Sequence, residues 1–245
     1  MRGVGLQRKE YGSGYGQMNY RLIVMGRLLL VSMAVPTSAA AQYPRQPNWK
    51  DNSSSCKWGF PWPRQVEYWI EEGSDPYNTF SSAEATRVSY GPATWTEGTF
   101  NLYFSRVSSL GQSEGGNTFI AKGAVSSPQR IAEADTVPST ATCNVDQGNP
   151  ITSAHITFNQ NKGFSLDCAA YQNCGQLQQY DLHDVSAHEA GHWFRLHDIS
   201  EYEEPWQATM YNSMTWGSTY RRDLHEHDKD GAWIMYGCRT GDPCH

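Results

Sequence analysis

Two histidines four residues apart, His188 and His192, flank a glutamate, and side chains of these types can bind a metal ion and transfer protons. If this stretch is helical, both imidazoles lie on one face and can bind a single metal ion, while the carboxylate of Glu189 projects beside them. This His-Glu-x-x-His arrangement is typical of a hydrolytic zinc site. Zinc held by three protein ligands keeps a position for water and lowers the pKa of that water to about 7, and a nearby carboxylate can then accept its proton.

A helix must carry this motif, and the residues around it indicate where that helix begins. Asp181 is a good N-cap, so we expect a helix from about Leu182 to Arg195. Residues 160–180 are predicted to be a loop, and the alternating residues 151–159 are the last predicted strand before the motif. His155 lies inside that strand, and we interpret it as a packed or solvent-facing residue rather than a ligand.

The upstream chain alternates between strand and helix signals. Four strands are predicted there, at residues 66–70, 100–104, 119–125 and 131–137. Ser81 or Ser82 caps a predicted helix that ends near Trp95, although Gly91 and Pro92 weaken its second half. This order predicts an α/β fold, with a mixed twisted sheet, helices packed on it and the motif helix below a cleft.

Residues 1–41 are predicted to be a leader that directs export. Arg27 precedes an apolar core at 28–35, and the small residues Ala39–Ala41 supply a cleavage signal, which is the pattern of a secretory signal peptide. The core is too short for a membrane span, which needs about 20 residues. A signal that starts at Met18 has the usual length, so we favour that start. We therefore expect a secreted, extracellular protein without membrane attachment after cleavage.

The mature chain is acidic and has the length of one domain. The leader holds five basic residues and one acidic residue, so residues 42–245 carry 14 basic and 24 acidic residues, a net charge of −10. This charge argues against nucleic acid or an anionic membrane as a partner. We divide these residues into an N-terminal arm, 42–65, and a single domain, 66–245, which we expect to act as a monomer.

All six cysteines follow the predicted cleavage site, and an even number in an exported chain is typical of disulfide bonds. Close spacing favours two pairs, Cys168–Cys174 and Cys238–Cys244. A third pair, Cys56–Cys143, follows by elimination. No two cysteines have the Cys-x-x-Cys spacing of a zinc site, and no propeptide pattern surrounds Cys56, so disulfides are favoured over metal binding.

Beyond the motif itself, the chain resembles the metzincin zinc metalloproteases, in particular their matrixin-like and snapalysin-like bacterial branches. That family continues the motif as His-Glu-x-x-His-x-x-Gly-x-x-His/Asp, and Asp198 occupies the last position here. Downstream, Ala208–Tyr211 resembles the methionine turn of the family, and Leu224–Gly237 resembles its closing helix. The resemblance extends over about residues 58–237 and is specific from 181 onward.

The resemblance implies a zincin-like α+β domain that hydrolyses peptide bonds. In that arrangement His188, His192 and Asp198 would hold Zn²⁺, and Glu189 would be the general base. A protein or peptide substrate would lie extended and antiparallel along an edge strand, for which residues 151–159 are our prediction.

Two assignments implied by the resemblance remain open, the third metal ligand and the methionine of the turn. Arg195 replaces the family glycine that turns the chain after the helix, a change that costs roughly 1 kcal/mol if the turn is left-handed. The third ligand is therefore open between Asp198 and His197, and the spacing favours Asp198. The methionine beneath the metal is Met210 or Met214, and Met210 is favoured because Thr-Met-Tyr resembles the family turn.

Three competing interpretations start from other residues. Asp228–Gly231 superficially resembles part of a calcium loop but lacks the rest of its ligand pattern, so helix capping is favoured and structural Ca²⁺ is left open. A different class of zinc protease would take Glu226 as its third ligand. A secreted zinc-binding or peptide-binding module with impaired catalysis is the non-enzymatic alternative. Arg195 supports it, whereas Glu189 argues against it, because a purely structural zinc site has no use for a free carboxylate.

Overall fold

The computed structural model of the chain describes residues 58–59, 63–98, 100–138, 150–170, 173–199 and 207–239. The predicted leader, its cleavage site and most of the predicted N-terminal arm lie outside these ranges. Within them, no helix combines the length and the apolar character that crossing a bilayer requires.

One five-stranded sheet forms the centre of the described fold. Its strands follow the order β2-β1-β3-β5-β4, with β4 antiparallel to β5 and the other neighbouring pairs parallel. Their bounds are β1 Arg64–Ile70, β2 Leu102–Arg106, β3 Phe119–Gly123, β4 Ala132–Pro138 and β5 Ile151–Asn159. The five predicted strands are therefore confirmed with small shifts at their ends, and a mixed sheet with packed helices confirms the predicted α/β fold.

The strand order corrects one prediction. We expected residues 151–159 to be the edge strand, but β5 lies between β3 and β4, and β4 is the edge on that side. The alternating pattern of a strand shows which of its side chains are buried, but it does not reveal its neighbours, because pairing is decided by distant residues.

Two of the three α-helices in the described ranges follow the predicted capping signals. Helix α1 is Ser82–Glu97, and the Ser81 hydroxyl and the Glu84 side chain form a reciprocal capping box at its start. Helix α2 is Leu182–Trp193, and its N-cap is Asp181, whose carboxylate accepts a hydrogen bond from a backbone N–H of the first turn. Helix α3 is Glu226–Tyr236. Pro92 lies inside α1 without ending it, so the weakening expected there is not seen.

Two short strands interrupt the predicted loop between β5 and α2. Strand β6, Gly163–Ser165, pairs in parallel with β7, Gln179–Asp181, so residues 151–159 are not the last strand before the motif. Three-residue strands are too short to show a periodic pattern, which explains why the sequence did not reveal them. The predicted disulfide Cys168–Cys174 lies between them and is confirmed. Each of the other two predicted pairs includes a cysteine outside the described residues.

Aromatic rings fix the C-terminal end of α2 between the sheet and α1. Trp193 contacts Phe104 with ring centroids 5.3 Å apart, and Phe194 contacts Trp95 at 5.0 Å. Trp95, Trp193 and Phe194 are fully buried. Because buried aromatic rings contribute a large share of core stability, the helix end that carries His192 is held in place by packing on both sides.

Candidate metal centre

Helix α2 presents His188 and His192 on one face, as their spacing predicts, with ring centroids 5.0 Å apart. Helix α1 packs along the same helix, and Ser186 Oγ donates a hydrogen bond to the carbonyl of Val88 at 2.6 Å. A Cβ on Gly91 of α1 would overlap Ser186, so glycine at this position allows the two helices to approach this closely. The position of the motif is thus set by helix–helix packing.

The chain reverses direction immediately after α2. Leu196 N–H donates to the Gly191 carbonyl at 3.2 Å and Arg195 N–H donates to the His192 carbonyl at 2.9 Å, which is the hydrogen-bond pattern of a Schellman turn. Arg195 has a φ of 62° and therefore adopts the left-handed conformation that glycine would adopt more easily. A non-glycine residue in this conformation strains the turn, and the chain continues from it towards Asp198.

Asp198 returns to the two histidines and completes a cluster of three possible metal ligands. Its Oδ1 lies 3.1 Å from His188 Nε2 and 3.5 Å from His192 Nε2. The three ligand atoms lie within 4.8 Å of one another and could hold a metal ion. His197, the alternative third ligand, is exposed and is not a member of this cluster. The spacing argument and the geometry therefore agree on Asp198.

Backbone carbonyls orient both imidazoles from behind. The Thr209 carbonyl lies 2.8 Å from His188 Nδ1, and the Leu196 carbonyl lies 2.8 Å from His192 Nδ1. A carbonyl oxygen can only accept, so each Nδ1 carries the hydrogen and donates it. In a neutral imidazole the lone pair is then on Nε2, which is the atom that faces the other ligands. Both rings are held in the tautomer that metal coordination requires.

The charges within the cluster favour a cation where the three ligand atoms meet. Burial alone would raise the pKa of Asp198, but hydrogen bonds from His188 and His192 hold that pKa well below its usual range. Burial lowers the pKa of His192, and the hydrogen bond to Asp198 together with the charges of Glu189 and Asp198 outweighs it and raises the pKa to about 9. Protons and a metal ion would therefore compete for the same Nε2 atoms.

Glu189 lies beside the cluster without joining it. Its side chain lines the cleft, and the residue is only 6% exposed. Burial raises the pKa of Glu189, although the nearby His188 and His192 act in the opposite direction. A carboxylate whose pKa is raised is a stronger base than an ordinary carboxylate. Glu189 can therefore act as a general base next to a bound metal.

Met210 lies under the helix that carries the ligands. A Cβ on Gly191 would overlap the Met210 sulfur and lie 2.6 Å from a ring carbon of Trp95. Met210 is fully buried, whereas Met214 lines the cleft. Met210, the methionine favoured from the sequence, therefore packs against the helix that carries both histidines, and the missing side chain of Gly191 lets it fit there.

Asp228 connects helix α3 to the residues that precede Met210. Its buried carboxylate accepts hydrogen bonds from the backbone N–H groups of Thr209 at 2.8 Å, Met210 at 3.1 Å and His225 at 3.0 Å. The helix-capping interpretation of this segment is confirmed, since Asp228 and His225 form a capping box. Glu226, the other alternative ligand, is paired with Lys229 and does not belong to the metal-ligand cluster.

A buried ion pair that was not predicted from the sequence supports the segment 211–214 beside the cleft. Arg221 and Asp184 are buried, and Arg221 Nη1 lies 3.0 Å from Asp184 Oδ2. The same guanidinium donates to the carbonyls of Tyr211 and Ser213 and so fixes the segment that follows Met210. The two partners are 37 positions apart and belong to no spacing motif, so no signal in the sequence joins them.

A cleft of about 520 Å³ opens over the metal-ligand cluster. Strand β4 and the residues before it form one wall, and Tyr211, Asn212 and Met214 contribute to the other. The cluster and Glu189 also line this cleft. The site is therefore open to a ligand that lies along the edge strand.

No model of a known protein family matches the chain, and a comparison with curated protein sequences also finds no match. The resemblance to metzincins therefore has no support beyond the sequence pattern, and the geometry of the site is the basis for a functional proposal.

Proposed function

We propose that the chain is a secreted zinc-dependent endopeptidase that hydrolyses protein or peptide substrates. One observation carries the proposal. His188, His192 and Asp198 bring three ligand atoms together in a cleft, and the buried carboxylate of Glu189 lies next to them without belonging to the cluster. A site that only bound metal for structural reasons would have no need of that carboxylate.

The donor set suits zinc better than the hard cations. Imidazole nitrogens are good zinc ligands, whereas calcium and magnesium prefer oxygen ligands alone. Ligand atoms bound to one tetrahedral zinc lie about 3.3–3.6 Å apart. The distances from Asp198 to the two histidines, 3.1 and 3.5 Å, are close to this spacing.

The reaction would divide its work between the metal and Glu189. Bound at this site, zinc would polarise the scissile carbonyl and make the attacking water more acidic. Glu189 would accept a proton from that water and then deliver it to the nitrogen of the leaving amine. The backbone carbonyls of Thr209 and Leu196 would keep the imidazoles of His188 and His192 in the required tautomer throughout.

The substrate would be an extended polypeptide. Among the described strands, β4 pairs only with β5, so its other edge can offer backbone N–H and C=O groups to a peptide. That edge borders the cleft, and the wall at Tyr211–Met214 would contact the side chains of the bound peptide. This assignment replaces the predicted strand 151–159 with β4 as the place where substrate binds.

The non-enzymatic alternative loses its main support. Arg195 was the reason to suspect an impaired site, but its left-handed conformation preserves the turn, and Asp198 still reaches both histidines. Burial of a carboxylate is costly, and a module that only binds zinc or peptide would gain nothing from burying Glu189 beside the ligands.

Hydrolysis of a denatured protein by the purified, oxidised chain tests the proposal. We expect cleavage that stops when a zinc chelator is added and returns with added zinc. Glu189→Gln should retain the metal and lose cleavage by at least about 100-fold, since general base catalysis contributes 10²–10⁴-fold. Cleavage that is unaffected by the chelator, or full activity of Glu189→Gln, would show that the assignment is wrong.

A further inference from the structure

The guanidinium of Arg195 lines the cleft and has no acidic partner among the described residues. Its Nη1 donates a hydrogen bond to Thr136 Oγ1 at 2.8 Å, which is the one hydrogen bond the side chain makes to the described part of the chain. Its Nε is buried and has no hydrogen-bond partner in the described part of the chain. The other cation of the cleft, Arg130, differs because it lies 3.5 Å from the Glu133 carboxylate. Arg195 is thus a cation held in place by a neutral residue.

The anchor of this cation is part of the strand that would bind substrate. Thr136 belongs to β4, and its side chain lies on the same face of the strand as buried Ala132 and partly buried Ala134, because alternate residues share a face. Arg195 comes from the turn between two of the metal ligands and reaches this face from below. The guanidinium is therefore located where the edge strand and the metal-ligand turn meet.

A peptide that added to β4 would bring one of its side chains to this guanidinium. On paired strands, the residue opposite Thr136 has its Cβ about 5 Å from the Thr136 Cβ and on the same face. The Arg195 Nη1 is 2.8 Å from the threonine hydroxyl, so a carboxylate at that peptide position would lie within reach of it. Arginine presents its N–H groups in a planar fork that matches a carboxylate.

We propose that Arg195 is a specificity-determining residue that selects substrates with Asp or Glu at the position paired with Thr136. The inference rests on the proposed peptidase function and names the substrate class of the same site. It also gives a reason for an arginine in a left-handed turn where glycine would be unstrained. The side chain supplies a charge to the cleft that a glycine could not supply.

A set of blocked peptides with a single Glu, Gln or Lys moved along a neutral background tests this inference. We expect kcat/KM for Glu to exceed that for Gln by roughly tenfold or more at one position, because hydrogen bonds to charged groups are worth more than neutral ones. Lys should be the poorest residue there. The Glu preference should weaken with added salt, since the guanidinium is only partly buried.

Substitutions of Arg195 separate charge from structure. Arg195→Gln and Arg195→Lys both keep a Cβ in the left-handed turn, so the backbone strain is matched. The ratio of kcat/KM for the Glu peptide to that for the Gln peptide is unaffected by a loss of activity that is equal for both peptides. That ratio should fall to near one in Arg195→Gln and be partly retained in Arg195→Lys. Thr136→Val keeps the charge but removes its anchor and should give an intermediate ratio.

Binding of the same peptides to the Glu189→Gln variant, measured by fluorescence anisotropy, gives a readout that does not need catalysis. Tighter binding of the Glu peptide that disappears in the Glu189→Gln, Arg195→Gln double variant supports the inference. If neutral peptides are cleaved but the Glu/Gln ratio is near one in the unmodified chain, the inference about Arg195 fails while the peptidase proposal stands. If nothing is cleaved, the peptidase proposal fails, and the anisotropy comparison alone decides whether Arg195 selects acidic peptides.

Discussion

Asp198 Oδ1 lies 3.1 Å from His188 Nε2, although the two residues are separated by the end of helix α2 and by the turn that follows it. This contact depends on the left-handed backbone of Arg195, which redirects the chain towards the histidines. The location of Asp198 beside the histidines therefore depends on the conformation of the turn at Arg195.

Asp198→Ala should weaken zinc binding far more than His197→Ala. Asp198 faces both imidazoles, whereas its neighbour His197 lies outside the cluster. We expect a loss of affinity of roughly 100-fold or more for Asp198→Ala, because even residues that only support a ligand contribute 10–100-fold. Chelator competition measures both variants. Equal losses, or a larger loss for His197→Ala, would assign the third ligand to the wrong residue.

Gly191→Ala should destabilise the fold, although alanine normally favours a helix by up to about 1 kcal/mol over glycine. The added methyl group would overlap the Met210 sulfur and crowd Trp95, and overpacking of this kind costs about 1–3 kcal/mol. Urea unfolding provides the measurement. Gly111→Ala is the control, because no heavy atom lies within 4 Å of the added Cβ. A Gly191→Ala variant as stable as the parent would mean that Met210 does not pack against α2.

Asp228→Ala should cost about 3–5 kcal/mol and also weaken metal binding. Three backbone N–H groups, two of them at Thr209 and Met210, lose their buried acceptor in this variant. The carbonyl of Thr209 also orients His188, so the loss should reach the metal site. Asp230→Ala, an exposed change in the same helix, should stay within about 0.5 kcal/mol. Similar unfolding free energies for the two variants would contradict this role of Asp228.

Protonation linked to His183 should lower the free energy of unfolding as the pH falls. Burial, together with the charges of Arg87 and Arg222, lowers the pKa of His183 to about 4. The unfolded chain binds this proton near pH 6.5, so the stabilising contribution is complete above that pH and is lost as the pH falls towards 4. The shift corresponds to about 3 kcal/mol, which we reduce to about 1–2 because the ring is partly exposed.

The stability difference between pH 7 and pH 4.5 measures this effect. Several carboxylates also lose stabilising interactions in this range, so the comparison is between the parent chain and His183→Gln. The variant should show a smaller decrease in unfolding free energy on acidification. An equal decrease in both chains would show that His183 does not carry the effect.

Local signals explain which parts of the fold the sequence reveals. Ser81 and Asp181 predict the start of their helices, because a side-chain cap acts within one turn. The alternation of residues 151–159 predicts a strand. The edge position of β4 and the Asp184–Arg221 pair depend on residues far apart in the chain, and no local pattern encodes them. The short strands β6 and β7 pair with each other across a separation of about 16 residues, which local patterns also do not encode.

The candidate site shows the same division. The two histidines were predicted from helical spacing, and Asp198 was predicted from its distance along the family motif. The supporting contacts were not, because the Thr209 carbonyl, the fit of Met210 against Gly191 and the anchor of Arg195 on Thr136 arise from packing between separate segments. Sequence spacing identifies the ligands, and tertiary contacts determine how they are oriented.

X-ray absorption spectroscopy of the purified chain, after zinc loading and dialysis, shows whether His188, His192 and Asp198 bind one metal ion. We predict one zinc per chain, with two imidazole nitrogens and a carboxylate oxygen among its neighbours and no sulfur. If the chain takes up no zinc, or if sulfur is among the zinc ligands, then His188, His192 and Asp198 do not form the predicted site.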